Sequence, residues 1–418
     1  MQQDAIAQAD LVRLQAQLVT VFTPGAPVAD RELLAGRIPE IREAIRAVGQ
    51  PGLHAVIFGE RGVGKTSLAR FIHEIWRDMS KDLNVIAARV ACDSTDDFQS
   101  IWEGAASEIR LSFEKRGDDI SAIPGSGAFQ SALDELEIGN ATPGLVRRAL
   151  DLDGYGFIIV IDEFDRVPDV DASRLMADTI KTLSDQLVDA TTLIVGVADT
   201  IDSLFEEHAS IDRSLVQILV PRMTHTELQE IVQTRLARLG MSIDEEALRR
   251  IAVLSSGLPN YAHLLGLNSG LEAVDDGRRE ITVTDLRDGL GTALDSMKQT
   301  LGNDYYRATR SVQKSARFNE VLLACALTTP DERGFFAPAD VREPLGKLVG
   351  APREIPDFVR HLREFCGDKR GRILQKSSPD TRPRYRFKNP LMQPYIVLRG
   401  IKDGTLPDEL LGKLELGL

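Results

Sequence analysis

The most specific chemistry in the chain lies in one short run, Gly59-Glu60-Arg61-Gly62-Val63-Gly64-Lys65-Thr66-Ser67. Its first eight residues match G-x-x-x-x-G-K-[ST] at every fixed position. Glycines at these places let backbone N–H groups turn inward around phosphate oxygens, and a helix opening at the end of the loop adds partial positive charge. The Lys65 ammonium is then expected to reach the β and γ phosphates of a nucleotide, with the Thr66 hydroxyl on Mg²⁺. Farther along, the apolar run Phe157-Ile158-Ile159-Val160-Ile161 ends in Asp162-Glu163. Asp162 is the expected carboxylate of the Mg²⁺ shell. Glu163 is the expected general base that polarises an attacking water. Asp165, in the same turn, reads as structural.

These groups need a scaffold that brings strand ends together. HAVIF (54–58) reads as a strand that enters the glycine loop, and a helix follows from Thr66 to about Met79. NVIAARVA (84–91), FIIVI (157–161), TLIVGV (192–197) and VQILV (216–220) read as further strands. Amphipathic stretches at about 95–115, 145–152 and 171–188 separate them. Continuous apolar strands alternating with helices predict a parallel, doubly wound α/β sheet buried on both faces. Residues 116–141, rich in Gly, Ser and Asp, read as a loop or insertion. Past Pro221 the strands are expected to stop. Residues 224–239, 244–256, 258–275 and 283–300 read as helices of a small second domain. From Ser311, helices at about 312–327, 338–348 and 354–366 precede two short runs, RILQKS (372–377) and RYRFKN (384–389), which is a winged-helix pattern. The expected boundaries are 1–222, 223–308 and 309–404, with a tail at 405–418. Trp76, Trp102 and His263 read as core residues.

The sequence has 418 residues, a net charge of −13, 43% hydrophobic and 27% charged residues. That composition excludes global disorder and low-complexity fibres. Cys92, Cys325 and Cys366 are too few and too widely spaced for a disulfide framework or a zinc site, so they read as reduced thiols. No apolar run approaches the roughly 20 residues that span a bilayer, and the start is not of signal-peptide type. A cytoplasmic chain with no membrane partner is expected. The net charge hides a division. Residues 301–400 carry 19 Lys and Arg against 11 Asp and Glu, whereas residues 1–300 carry a net −19. An acidic body precedes a basic module.

With these motifs the chain resembles the AAA+ and STAND branches of P-loop NTPases, especially prokaryotic ATPases of origin-recognition type that end in a winged helix. GERGVGKTS (59–67) and FIIVIDEFD (157–165) are similar to the two Walker motifs, and LLAGR (33–37) to the motif beside the base. LIVGVADT (193–200) resembles a sensor-1 strand, SGLPNYAHLL (256–265) a Gly-x-Pro motif opening a sensor-2 helix, and RYRFKNPLMQPYIVLRG (384–400) the end of a winged helix. The resemblance implies ATP and Mg²⁺ as cofactors. It puts Gly36, Arg37 and Pro259 beside the nucleotide, Asp199 or Thr200 in the sensing position, and Arg213 as an arginine finger or phosphate sensor. Where origin-recognition relatives carry a sensor-2 arginine, this chain has Pro259 and Asn260, which leans toward the STAND pattern and toward slow hydrolysis.

The basic module suggests a partner. Arg382, Arg384 and Arg386 alternate with Tyr385 and Phe387, as on a strand with one buried face. With Lys376 they would lie along double-stranded DNA, and Arg360 and Arg363 would stand on a recognition helix. Glu354, Asp357 and Glu364 on that helix oppose base readout. Two functions follow as expectations. One is an ATP-driven switch acting on DNA. The other is a STAND-like signalling or defence ATPase whose winged helix docks protein and which forms homo-oligomers on ATP with a partner or effector. A small-molecule kinase would need an acceptor lid that the sequence lacks.

Overall fold

The computed structural model describes residues 2–25, 36–79, 84–197, 213–297, 299–311, 316–377 and 383–406. Contacts divide the chain into two compact units. One comprises Arg37–Glu60 and Gly64–Val220; the other comprises Met1–Gly36, Arg61–Val63 and Pro221–Leu418.

The first unit carries a five-stranded sheet. Its strands are β1 (His54–Gly59), β2 (Asn84–Ala91), β3 (Tyr155–Asp162), β4 (Ala190–Val197) and β5 (Leu215–Leu219), in the order β2-β3-β4-β1-β5. All four pairings are parallel. β1 is buried along its whole length and β3 from Gly156 onward, as their β-branched and aromatic runs require. This is the expected α/β P-loop fold. The phosphate loop leaves β1 next to β4, and Asp162 ends β3 on the other side of β4.

The helices of this unit are α2 (Ile38–Val48), α3 (Lys65–Met79), α4 (Phe98–Arg116), α5 (Gly127–Glu137), α6 (Pro143–Ala149) and α7 (Val170–Asp185). Helix α4 starts on an Asp97–Ser100 capping box and stops at Gly117, whose φ of 74° suits a residue without Cβ. The segment read as a loop, 116–141, contains α5. Its Phe129, Ala132, Leu133 and Leu136 are all buried in the core with Trp102, Phe113 and Ile159. That i, i+3, i+4, i+7 stripe, at roughly 1.5–3 kcal/mol for each large apolar side chain, outweighs the glycines around it. Trp102 is a core residue; the side chain of Trp76 lies outside the described residues.

The second unit is largely helical: α8 (His225–Arg238), α9 (Glu245–Leu254), α10 (Pro259–Asp275), α11 (Val283–Ser296), α12 (Gln299–Thr309), α13 (Phe318–Ala326), α14 (Pro338–Val349), α15 (Ile355–Phe365) and α16 (Met392–Lys402). Two differences from the reading above stand out. The strands do not end at Pro221, because β6 (Ser242–Ile243) pairs in parallel with β7 (Glu280–Ile281). The stretch that follows α11 forms a separate helix, α12. The short runs near the end form an antiparallel ribbon of β8 (Leu374–Lys376) and β9 (Tyr385–Phe387), with Tyr385 and Phe387 buried and Arg384 and Arg386 turned outward. The N-terminal helix α1 (Gln2–Val21) packs on α10. A Cβ on Gly266 would stand 2.6 Å from Phe22 and one on Gly270 2.9 Å from Leu18, so the two helices close only over glycine.

Candidate nucleotide site

Gly59, Gly62 and Gly64 have φ of 144°, 88° and 99°, conformations that side-chain-bearing residues avoid. A Cβ on Gly59 would fall 2.4 Å from the Val220 carbonyl oxygen, whereas one on Gly64 would meet nothing within 4 Å. The backbone at Gly64 therefore faces open space. Lys65, buried at 7% exposure, curls back so that Nζ donates to the Gly59 carbonyl at 3.0 Å and the Glu60 carbonyl at 2.7 Å. Arg61 is exposed, Val63 and Glu60 are buried, and Ser67 is half-buried in the first turn of α3.

Across β4, the Thr66 hydroxyl lies 3.2 Å from Asp162 Oδ1, which also accepts the Glu163 N–H at 3.0 Å. A hydroxyl and a buried carboxylate side by side beneath a glycine loop are the donor set that suits Mg²⁺ with phosphate. Glu163 follows in the left-handed region with φ 56°, and its Oε2 accepts from Arg166 at 2.6 Å. Asp165 accepts the Val197 N–H at 2.7 Å and so ties this turn to the end of β4. Cys92 stands beyond the end of β2. Burial, and then the carboxylates of Asp96, Asp162, Asp93 and Glu163, push its thiol up to about 12. It is a poor nucleophile in an acidic rim.

The family model described as Novel STAND NTPase 1 matches residues 27–323. The chain belongs to that family. Several solved structures are similar to this STAND NTPase over most of its length. They include the Aeropyrum pernix ORC2 protein in ADPNP–ADP complexes, at 15% identity and TM-score 0.50, covering 95% of this chain and 97% of that one. The Aeropyrum pernix ORC1 protein in complex with DNA matches at 16% identity and TM-score 0.47, covering 91% and 94%. The Walker-type ATPase PABY2304 of Pyrococcus abyssi matches at 17% identity and TM-score 0.48, covering 91% and 99%. No curated protein matches the sequence. The STAND resemblance is thus what the family model shows, and the P-loop α/β fold class is what the fold shows.

The remaining expected residues of this STAND NTPase fall as follows. Arg37 is buried, in the left-handed region with φ 64°, and contacts Glu40 at 3.4 Å at the start of α2. Gly36 has φ 67°, and a Cβ there would meet Glu227 Oε1 at 2.5 Å, so this turn packs on the Thr224–Glu227 capping box of α8. Pro259 is the first residue of α10. Before it, Gly257 has φ 79° and leaves no room for a Cβ, which would come within 2.6 Å of Arg222. Asp199 and Thr200 lie outside the described residues, as does Arg382. Arg213 was expected to sense phosphate in its own chain's site or to act as a finger in a neighbour's, and its position bears on the first of these. It precedes β5 at the amino edge of the sheet, where it pairs with Asp185 at 2.9 Å, and Ser214 accepts from His54 at the start of β1. The phosphate loop leaves the opposite edge, about 17 Å away at roughly 3.3 Å per strand residue. Arg213 is therefore out of reach of a phosphate held by its own chain's loop.

The basic residues of the C-terminal module are engaged locally. Arg360 pairs with Glu364 at 2.8 Å, Arg384 with Asp331 at 2.6 Å, and Arg372 with Asp368 at 2.7 Å. Arg386 bonds Gln375 at 3.0 Å and lies over Phe335. Arg370 donates to the Ala308 carbonyl and stacks on Phe318. Arg363 and Lys376 are exposed. His263 is packed, as expected: its Nδ1 accepts the Thr23 N–H at 3.0 Å, and burial, then Arg235, lower it to about 3.

Two residues of the site escaped the sequence. Arg89 reaches Asp162 Oδ2 at 2.7 Å, and Arg166 holds Glu163. The only hint of Arg89 is a cation within the apolar run of 84–91, and its partner depends on the pairing of Ala91 with Asp162. Among the described residues no helix is long and apolar enough to cross a membrane.

Proposed function

We propose that this chain is an ATP-binding and ATP-hydrolysing switch whose nucleotide state controls a C-terminal winged helix. The observation that carries the reading is the Thr66 hydroxyl set against the buried Asp162 carboxylate beneath an open glycine loop. In this reading, phosphate oxygens take the place of the Gly59 and Glu60 carbonyls as partners of Lys65. Thr66 and Asp162 hold Mg²⁺, which when bound neutralises charge on the β and γ phosphates. Glu163 takes a proton from the attacking water as ATP and water become ADP and phosphate. To do so it must give up Arg166, an exposed i, i+3 pair that costs little to break. Lys65→Ala is expected to lower nucleotide affinity at least a hundredfold. Glu163→Gln is expected to keep binding and lose turnover by a similar factor. Normal hydrolysis by the Glu163 variant would remove the general-base role.

For the output, the basic surface of α15 and the β8–β9 ribbon supports engagement of double-stranded DNA. The test is DNA binding measured against salt with ATP and with ADP; no salt-dependent, nucleotide-sensitive binding would refute it. A second reading, docking of a protein partner with homo-oligomer formation on ATP, rests on a different observation. Arg342, Arg360, Arg372 and Arg384 each face a carboxylate of their own module, so the surface is of mixed sign rather than uniformly basic. Light scattering with ATP, with and without candidate partners, separates the two.

A further inference from the structure

Asp162 has only 3% of its side chain exposed, and both its oxygens are occupied. Oδ1 serves the Thr66 hydroxyl and the Glu163 N–H, and Oδ2 takes Arg89 Nη2 at 2.7 Å. Arg89 stands on β2, an edge strand, opposite Val160 and two residues short of the Asp162 level. Its side chain is 41% exposed. An arginine on an edge strand has water available; this one leans along its strand to a buried carboxylate. A carboxylate out of water needs a counter-charge, and the chain supplies its own.

Resting on the reading that Mg²⁺ and nucleotide bind at Lys65, Thr66 and Asp162, we propose that Arg89 is the resident cation of the metal position. It neutralises Asp162 when Mg²⁺–nucleotide is absent, and it competes with the divalent cation for that carboxylate. Two cations next to one carboxylate repel each other across a few ångströms of partly desolvated space. The half-exposed guanidinium is the one that can turn into water. Arg89 is thus a positioning residue that sets the threshold for metal loading. Arg166 differs. It and Glu163 are each 50% exposed, so that pair is screened and holds the base only weakly.

The test uses the full chain and Mn²⁺ as the probe, with binding read by electron paramagnetic resonance in the presence of a non-hydrolysable ATP analogue. Nucleotide affinity is measured separately in EDTA. Arg89→Gln is expected to bind Mn²⁺ about tenfold tighter than wild type, Arg89→Lys to stay near wild type, and metal-free nucleotide affinity to be equal in all three. Unchanged or weaker Mn²⁺ binding by a folded Arg89→Gln chain would overturn the proposal and leave Arg89 as a strut for Asp162. If that variant does not fold, the wild-type chain labelled with ¹⁵N-arginine is followed through the Arg89 Nε–Hε resonance, assigned by its loss in Arg89→Lys. That resonance is expected to shift when Mg²⁺ and the analogue are added together but not when the analogue is added in EDTA, and a resonance that stays unchanged, or shifts equally without metal, would overturn the proposal. A wild-type chain that binds no nucleotide, with or without metal, would instead defeat the underlying reading.

Discussion

The carboxyl edge of the parallel sheet and the C-terminal ribbon both set arginines against carboxylates, at similar distances. Arg89 meets Asp162 at 2.7 Å; Arg384 meets Asp331 at 2.6 Å and Arg372 meets Asp368 at 2.7 Å. The carboxylates differ in burial. Asp162 is 3% exposed, Asp331 34% and Asp368 78%. Removing the cation from the first pair strands a charge in the interior. Removing it from the others returns a carboxylate to water, which solvates it well. Equal geometry therefore does not mean equal coupling. The sheet edge is a place where a charge change is felt by the fold, and the ribbon is a place where pairs can be exchanged for a partner's charges at low cost.

The largest expected effect breaks the sheet-edge pair. Arg89→Ala should destabilise the sheet unit by about 3 kcal/mol, at the low end for a broken buried pair because the guanidinium is partly exposed. Both tryptophans, Trp76 and Trp102, lie in this unit, so tryptophan fluorescence during chemical denaturation without nucleotide reports on it. A loss below about 1 kcal/mol would place this pair in the same class as those of the ribbon.

The next effect is set by pH, and each unit contains one instance. His54, fully buried in β1, accepts the Thr192 N–H at Nδ1, and burial lowers it to about 4. His263 accepts the Thr23 N–H in the same way and is lowered further. A histidine with a depressed folded pKa binds its proton more readily in the unfolded chain. The stability it contributes is complete above about pH 6.5 and is lost as pH falls toward 4. For His54 the full loss is about 3 kcal/mol, from 1.36 kcal/mol per unit. The fluorescence midpoint is expected to fall steadily between pH 6.5 and 4.5 at constant ionic strength. A flat midpoint over that range would mean that the imidazole is already protonated in the fold.

Legibility followed the range over which a signal acts. The glycine loop and the Asp162-Glu163 turn were readable because each packs its chemistry into consecutive residues after an apolar strand. The alternation of Tyr385 and Phe387 with arginines read correctly as one buried face. Helix α5 was hidden by Gly125, Ser126 and Gly127 at its start, although its apolar stripe was present in the letters. Arg89 was illegible for another reason. Its role exists only through the register of β2 on β3, and sequence spacing does not encode register. Arg213 shows how position divides an expectation, since only its role toward its own chain's phosphate loop is out of reach. A family pattern pointed to it, but the strand that follows it runs toward the phosphate loop, so the residue itself lies at the far edge. The docking of α1 on α10 depends on Gly266 and Gly270 meeting Phe22 and Leu18, contacts 244 and 252 residues apart in sequence.

The smallest expected effect on stability sharpens the other half of the comparison. Arg384→Ala removes an exposed partner of Asp331 and a donor to the Phe335 carbonyl, so stability should fall by less than about 1 kcal/mol. The same variant is informative about the partner. If the ribbon tracks DNA phosphates, Arg384 exchanges Asp331 for phosphate, and its loss reduces the slope of log affinity against log salt by about one while leaving a positive binding signal. If the module docks a protein through its mixed-sign surface, the salt slope is shallow to begin with, and Asp331→Ala weakens binding as much as Arg384→Ala does. For a DNA partner, Asp331→Ala acts in the opposite direction, because it frees the guanidinium and removes a repelling carboxylate. The sign of the Asp331 effect therefore separates the two partners; because the half-buried Asp331 also accepts the Arg333 and Phe335 N–H groups, the variant's denaturation midpoint is measured alongside its binding.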